Sequence, residues 1–186
     1  VWGRHHLTSA LIAVAVGRIL GFDLHEAAAA LEHFDAMPLS CEVSDVRGAT
    51  IIRDAHHASP VAMRAALELL RDFDAAGRRI VLLGDMTGAD DGAAILHRQL
   101  GNQVVTVCGA DLLIACGEHA GDVVAAARAA GMPQRHAILC RSPEESLPCL
   151  GQIILPGDAV LVKGSGVSAM EHVVDALRQY PRRRIA

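Results

Sequence analysis

Apolar positions along the chain follow two different spacings, and each spacing predicts its own kind of structure. Residues 7–34 repeat apolar side chains at the spacing of a helix, and "GF" divides them into two helices, with Asp23 as a candidate cap of the second. From residue 42 onward, short β-branched runs alternate with helical stretches of about ten to eighteen residues. This second pattern predicts strands at 42–47, 50–54, 79–84, 103–108, 136–140 and 159–163.

The order of these elements predicts an α/β fold. One lead strand followed by five strand–helix units is typical of a Rossmann-like, mainly parallel sheet with helices on both faces. Ser59-Pro60 and the S-x-x-E sequences at 142–145 and 168–171 are start signals for helices. We place a hinge in "DAMPLS", residues 35–40, and expect a short helical unit before it and the sheet domain after it.

Composition limits the classes of function. The 186 residues are enough for one full domain and a fragment of another, and with 52% hydrophobic residues a packed core is expected. The net charge is −4 and no basic face is present, which argues against nucleic acid as a partner. The longest apolar run near the start, "ALIAVAVG", is too short to cross a membrane. Five scattered cysteines without a C-x-x-C pair predict the reducing cytoplasm.

Candidate chemistry begins with the polar residues that follow the second predicted strand. Ligands of open parallel sheets bind outside the carboxyl ends of the strands. Asp54 lies there, where its carboxylate could hold a ribose or a cation, or could only satisfy backbone N–H groups. His56 and His57 are adjacent and would point opposite ways on an extended segment. We predict no metal site, since zinc bound by these two with His5 and His6 would need the first helix folded over the strand end.

Two further strand ends are polar. Asp85, in Gly84-Asp85-Met86, could be a site carboxylate or the first residue of an acidic loop. Lys163-Gly164-Ser165-Gly166 precedes a predicted helix and could bind an anion, or could be a simple turn. Neither a P-loop nor a G-x-G-x-x-G sequence occurs in the 186 residues, so a dinucleotide-binding domain is not predicted.

Several motifs occur in an order that resembles the Mur ligases. They are "GRHHLTSALIAVAVG", "RDAHHASPVAMRAALELL", "RRIVLLGDM", "LHRQLG" and "GDAVLVKGSGVSAMEHVV". The resemblance covers nearly the whole chain and is closest to the branch that adds D-alanyl-D-alanine to UDP-N-acetylmuramoyl-tripeptide. It implies that residues 1–35 are the helical tail of the central ATPase domain and that residues 36–186 are the C-terminal, glutamate ligase-like domain.

The resemblance also implies an activity. Mur ligases are cytoplasmic enzymes of peptidoglycan synthesis that use ATP and Mg²⁺, bound mainly by the central domain, to form an amide bond through an acyl phosphate. The implied partners are a UDP-muramoyl-peptide and D-alanyl-D-alanine, with no nucleic acid and no membrane. Because the P-loop belongs to the central domain, we expect these 186 residues alone to have no ligase activity.

Site residues follow from the same resemblance, position by position. It implies that Asp54 contacts the ATP ribose and that Ser9 lies near the adenine, with His6 also on the nucleotide side. The residues implied on the substrate side are His57, Ser59, Lys163 and Ser165. The resemblance identifies no catalytic residue and no metal ligand in this chain.

The chain departs from the family pattern at several of these positions. "GRHHLTS" lacks both asparagines of the family's G-x-H-N-x-x-N, and Ser40-Cys41 stands where an arginine usually reaches the ATP phosphates. Gly166 replaces another arginine, and His56-His57 replaces Tyr-Asn. Two interpretations therefore stay open: a ligase, including one with a divergent substrate, or a non-catalytic binding module that retains the fold.

Overall fold

The computed structural model describes residues 3–34, 39–88 and 92–180, and of Val167 only the backbone. The longer helices are α1 (Leu7–Ile19), α2 (Leu24–Glu32), α3 (Pro60–Asp72), α4 (Ala93–Gln103), α5 (Ala120–Ala129), α6 (Pro143–Ile153) and α7 (Glu171–Gln179). The strands are β1 (Glu42–Val46), β2 (Ala49–Asp54), β3 (Arg79–Leu83), β4 (Leu112–Cys116), β5 (Ala137–Cys140) and β6 (Ala159–Lys163). Short 3₁₀ turns cover Arg4–His6, Gln134–His136 and Gly166–Ser168.

Within the described residues the strands form one six-stranded sheet in the order β1-β2-β6-β3-β4-β5. The hairpin β1–β2 is antiparallel and turns at Arg47 and Gly48, both with positive φ, as a two-residue hairpin loop requires. The other neighbouring pairs are parallel. The prediction of a mainly parallel α/β sheet is confirmed, and β6 lies between β2 and β3, so the ends of these three strands meet.

Both faces of the sheet are covered by helices, as the strand pattern predicts. Successive residues of a strand point to opposite faces, so Ile52 packs on one side and Ile51 on the other. Helices α3, α4 and α5 cover the first face, and α6 and α7 cover the second. Strands buried on both faces read as continuous apolar runs, which is why "AVLV" in β6 was recognisable.

The fourth predicted strand is wrong. Residues 103–108 continue α4 as a π-helical turn, Val104–Cys108, and the strand is Leu112–Cys116 instead. Leu100, Val104 and Cys108 are buried at a spacing of four residues, so packing of a helical face overrides the strand preference of the valines. Gly109, in the left-handed conformation, ends this helix and leaves the next apolar run free to form β4.

The predicted helix starts have mixed outcomes. Asp23 forms a full capping box with Glu26, and Ser59 Oγ accepts a hydrogen bond from Ala62 N ahead of Pro60. Ser142 also accepts from Glu145 N. The box at 168–171 is wrong, because Ser168 belongs to a 3₁₀ turn and donates to the Ser165 carbonyl.

Two further expectations concern the hinge and the membrane. Of the predicted hinge at 35–40, residues 35–38 lie outside the described residues. None of the described helices is long and apolar enough to cross a membrane.

Candidate functional site

The carboxyl ends of β2 and β6 hold a buried ion pair. The parallel register places Asp54 beside Lys163 and places Lys163 beside Leu83 of β3. Lys163 Nζ lies 3.0 Å from Asp54 Oδ2, and the side chains are 1% and 14% exposed. A buried ammonium needs such a partner, because its charge is costly to remove from water.

Two backbone carbonyls complete the surroundings of Lys163. Its Nζ donates to the Asp54 carbonyl at 3.2 Å and also to the carbonyl of His57. The lysine therefore joins the end of β6 to the loop that follows β2. The expectation that Lys163 faces a bound dipeptide stays a prediction, and in this structure its ammonium points toward Asp54 and the loop.

The loop after β2 contains two adjacent histidines and the serine that caps the N-terminus of α3. His56 and His57 are both exposed, and the His57 carbonyl is held by Lys163 while its ring is at the surface. Ser59 is half-buried and its hydroxyl caps α3. The sequence placed these side chains at a binding edge of the sheet, and the structure places their backbone at that edge, directly beside the ion pair.

The turn after β6 is tightly packed. Ser165 is buried, and its carbonyl accepts from both the N–H and the hydroxyl of Ser168. A side chain at Gly84 or Gly164 would come within 2.8 or 2.5 Å of Ser168 Oγ, so both strand ends need glycine here. Helix α7 begins only at Glu171, so a 3₁₀ turn separates the Lys163–Gly166 segment from that helix.

Asp85, after β3, has a structural role that neither alternative from the sequence included. Its carboxylate accepts hydrogen bonds from Glu118 N at 2.8 Å and His119 N at 3.1 Å, and so holds the turn between β4 and α5. His97 is buried, accepts from Met86 N at Nε2 and has Nδ1 2.7 Å from the Ala93 carbonyl. This pattern requires the neutral ring with its proton on Nδ1.

His97 was missed as an individual residue in the sequence, although it lies in the quoted motif "LHRQLG". In the sequence His97 is a lone histidine within an amphipathic helix, and that pattern does not indicate which groups its ring contacts. Together with Asp85 it fixes the loop beside the site.

The N-terminal segment reaches the same edge of the sheet. The register of β1 with β2 pairs Glu42 with Arg53. Cys41 is the residue before Glu42, so it lies close to Asp54, the residue after Arg53. Cys41 Sγ lies 4.0 Å from His5 Nε2, and the rings of His5 and His6 are 4.0 Å apart between centroids. The sequence did not bring these residues together, because His5 and Cys41 are 36 positions apart.

Electrostatics differ among these groups. Burial raises the pKa of the Cys41 thiol to about 11, with a further contribution from the Asp54 carboxylate. Burial and the neighbouring His5 lower the pKa of His6, against an opposing contribution from Asp54. Ser9, which the resemblance predicts to lie near the adenine, is exposed on α1.

A cleft of about 530 Å³ lies between the N-terminal segment and α3. One wall is formed by Gly3, Arg4, His5 and Leu7, and the C-terminal half of α3 lines the other, with Arg4 Nε 3.3 Å from Asp72 Oδ2. The wall formed by α3 is at the C-terminal end of that helix, far from its N-terminal cap Ser59. The cleft is therefore not the polar strand edge where the sequence places ligands.

Comparison with known proteins identifies one family. A family model described as Mur ligase, glutamate ligase domain, matches residues 41–166. The UDP-N-acetylmuramoyl-tripeptide–D-alanyl-D-alanine ligase of Mycobacterium tuberculosis (strain ATCC 25618 / H37Rv) is 31% identical, covering 95% of this chain and 38% of the relative. The same-named ligase of Bacillus subtilis (strain 168) is 25% identical, covering 97% and 39%. The chain thus spans about two fifths of the length of these relatives.

Solved structures show the same fold. A crystal structure of MurF from Acinetobacter baumannii superposes with a TM-score of 0.84 at 24% identity, covering 96% of this chain and 38% of that one. MurF ligase from Thermotoga maritima in complex with ADP has a TM-score of 0.77 at 21% identity, covering 96% and 39%. At these identities the likeness is evidence for the fold alone.

Proposed function

Because the chain belongs to the Mur ligase family through its glutamate ligase domain, we propose that it is the C-terminal portion of an ATP-dependent amide-bond-forming ligase. The proposed reaction joins D-alanyl-D-alanine to UDP-N-acetylmuramoyl-tripeptide in the cytoplasm, as a step of peptidoglycan synthesis that cell wall growth and cell division require. The observation that carries the proposal is a likeness of 31% identity along 95% of the chain to ligases with this substrate pair.

The N-terminal helices support a place beside a further domain. No described residue of α1 or α2 is buried, although Leu11, Ile12 and Ile19 are large and apolar. Such a surface is typical of a helical unit that packs against another part of a larger protein. We therefore assign residues 1–35 to the tail of the central domain and residues 36–186 to the C-terminal domain.

The nucleotide side of the proposed site centres on Asp54. One oxygen of its carboxylate is held by Lys163, and a carboxylate has enough lone pairs to accept hydrogen bonds from a ribose as well. The group fits that role, since it is partly exposed at a strand end and its orientation is fixed by the ion pair. Ser9 and His6 would lie on the adenine side.

The substrate side would be formed by the loop after β2 and the turn after β6. His57 has an exposed ring that can donate and accept, and Ser59 follows it in the same loop. Lys163 fixes that loop through the His57 carbonyl, and Ser165 lies in the adjoining turn. In this arrangement Lys163 orients both Asp54 and the loop.

ATP with Mg²⁺, held mainly by the central domain, would supply the phosphoryl group that turns the tripeptide carboxylate into an acyl phosphate open to attack by the dipeptide amine. The residues of this chain would close over the nucleotide, orient the incoming amine and exclude water from the activated carboxylate. The 186 residues contain no P-loop, so we propose that they have no ligase activity by themselves.

The test is phosphate release by the full-length protein with ATP, Mg²⁺ and UDP-muramoyl-tripeptide, with and without D-alanyl-D-alanine. Release that depends on the dipeptide is expected. The absence of release, in an assay where the Bacillus subtilis relative turns over, would favour the alternative of a non-catalytic or divergent binding module. Cys41 and Gly166, which stand at arginine positions of the family, are the observation that favours that alternative.

A second experiment tests the substrate side. Replacing His57 by Ala should raise KM for D-alanyl-D-alanine about fivefold, the effect of losing one hydrogen bond, and leave KM for ATP unchanged. His56→Ala is the matched control, because His56 is adjacent and also exposed. Equal effects of the two changes on the dipeptide KM would remove His57 from the proposed site.

A further inference from the structure

Three metal-ligating side chains converge where the N-terminal segment meets the sheet. They are His5 and His6 of the first 3₁₀ turn and Cys41, directly before β1. One ligand atom from each lies within 4.8 Å of the other two, and Cys41 Sγ is 4.0 Å from His5 Nε2. In tetrahedral zinc sites, bond lengths of about 2.3 Å to sulfur and 2.1 Å to nitrogen place these atoms about 3.6 Å apart. Small side-chain rotations would close the remaining gap.

The backbone around these side chains favours this convergence. A Cβ at Gly3 would lie 2.5 Å from His5 Cε1, so the ring occupies space that only glycine leaves open. Cys41 has a φ of 50°, a left-handed conformation that non-glycine residues rarely adopt. Its thiol is buried at the inner end of the cluster, while His5 is exposed, so an ion could enter from the solvent side.

Contrary to the expectation from the sequence that the chain has no metal site, we propose that His5, His6 and Cys41 form a binding site for a divalent metal ion of the zinc type. Two imidazoles and a thiolate suit Zn²⁺ or Co²⁺ and not Mg²⁺ or Ca²⁺, which prefer oxygen ligands. Three protein ligands leave one coordination position for water or another molecule. The site shares His6 with the proposed nucleotide side, but its test measures metal binding directly and does not depend on ligase activity.

The consequence for the molecule is a link between two segments. His5 and His6 immediately precede α1, and Cys41 immediately precedes β1, the strand that pairs with β2. Within the described residues, Arg4 with Asp72 is an ion pair that also joins the N-terminal segment to the sheet domain. A bound ion would hold the N-terminal segment against the edge that carries Asp54 and Lys163.

The test is a titration of the purified, metal-free protein with Co²⁺ under reducing conditions, followed by competition with Zn²⁺. We expect one ion per chain, with a thiolate-to-cobalt charge-transfer band and the strong visible bands of tetrahedral Co²⁺. Cys41→Ser should abolish the charge-transfer band, and His6→Ala should weaken binding more than about 100-fold, since changes to outer-shell partners alone cost 10–100-fold. His6 is only partly buried, so this second variant keeps the experiment informative if Cys41→Ser is poorly folded.

Matched controls are Cys149→Ser, a partly exposed thiol on α6, and His25→Ala, an exposed histidine on α2. Both should bind Co²⁺ like the unchanged protein. Zinc at about 100 times its Kd should also raise Tm by roughly 5–10 °C in the unchanged protein and not in His6→Ala. Binding without a thiolate band, or binding that His6→Ala leaves unchanged, would overturn the site, whatever the outcome of the ligase assay.

Discussion

At the scale of single residues, Lys163 connects the end of β6 to the end of β2 and the loop that follows it. Among the described residues it is the largest of the fully buried side chains, and its ammonium contacts one carboxylate and two carbonyl oxygens. Removal of the carboxylate would leave a buried charge without its counter-ion, whereas removal of the lysine would leave Asp54 with access to water. The two halves of the pair therefore differ in what their loss costs.

Asp54→Ala should lower the free energy of unfolding by about 3 kcal/mol, and Lys163→Met should lower it by less. Urea denaturation of both variants measures the difference. Glu68→Gln is the control, because its ion pair with Arg64 is at the surface and should be worth under about 0.5 kcal/mol. A smaller loss for Asp54→Ala than for Lys163→Met would contradict this account of the pair.

A second residue-scale feature is Asp158, which ties three segments together ahead of β6. Its carboxylate accepts hydrogen bonds from the backbone and side chain of Arg78 and from Leu155 N. Burial acts to raise the pKa of Asp158, but these hydrogen bonds outweigh it and hold the pKa below its ordinary value. The folded state therefore binds this proton less readily than the unfolded state does.

This lowered pKa sets a direction for acid unfolding. The contribution of Asp158 is fully present above the pKa of an unfolded Asp, about 3.9, and is lost as pH falls through the lower pKa of the folded state. The free energy of unfolding of Asp158→Asn, measured between pH 2 and 6 (roughly the window in which carboxylates titrate), should fall less steeply with acid than that of the unchanged protein. Identical slopes for Asp158→Asn and the unchanged protein would refute the prediction.

At the scale of elements, the junction between α4 and β4 decides which residues enter the sheet. The helix continues through Val104–Cys108 because its buried side chains pack against the α3 face, and Gly109 ends it with a φ of 62°. A Cβ at Gly109 would meet no atom within 4 Å, so the cost of a side chain there is one of backbone conformation alone.

Gly109→Ala should therefore lower the free energy of unfolding by about 1 kcal/mol. Gly109→Asn should cost less, because asparagine tolerates the left-handed conformation better than alanine. Thermal or urea unfolding of the two variants gives the comparison. Equal costs would show that the conformation of Gly109 is not what ends the helix.

At the scale of the whole molecule, stability is concentrated in the sheet domain. The two faces of the sheet hold the buried apolar clusters, whereas α1 and α2 expose large apolar side chains, with Ile19 84% exposed. A surface of this kind contributes little to the stability of the chain that carries it and becomes costly to alter only when another surface covers it.

Leu11→Gln should change the free energy of unfolding of this chain by less than about 0.5 kcal/mol, whereas Leu67→Ala, in the core on α3, should lower it by about 3 kcal/mol. Urea denaturation of both variants tests the contrast. In the full-length protein, Leu11→Gln should become destabilising if the central domain covers α1. A large loss for Leu11→Gln in this chain would mean that α1 already packs on a surface.

Prediction from the sequence succeeded where one local pattern had one structural solution. The runs that contain Ile51 and Val160 are short, β-branched and bounded by turns, so they predicted buried strands, and Ser59-Pro60 predicted the start of α3. It failed at Val104–Cys108, because a valine-rich run can also form the buried face of a helix. Whether such a run forms a strand or a helix depends on what packs against it. The sequence also could not identify Asp54 as the partner of Lys163, or the hydrogen bonds that Asp85 accepts, because these contacts join residues far apart along the chain.

The sequence by itself determined the α/β class, the alternation of strands and helices, and the family, because these depend on local periodicity and on motifs in order. Only the tertiary structure decided that β6 lies between β2 and β3, that Lys163 is buried against Asp54, and that His5 and His6 meet Cys41. The physical reason is the distance along the chain. These contacts join residues 36 to 109 positions apart, and packing of the helices on the sheet, not local propensity, brings them together.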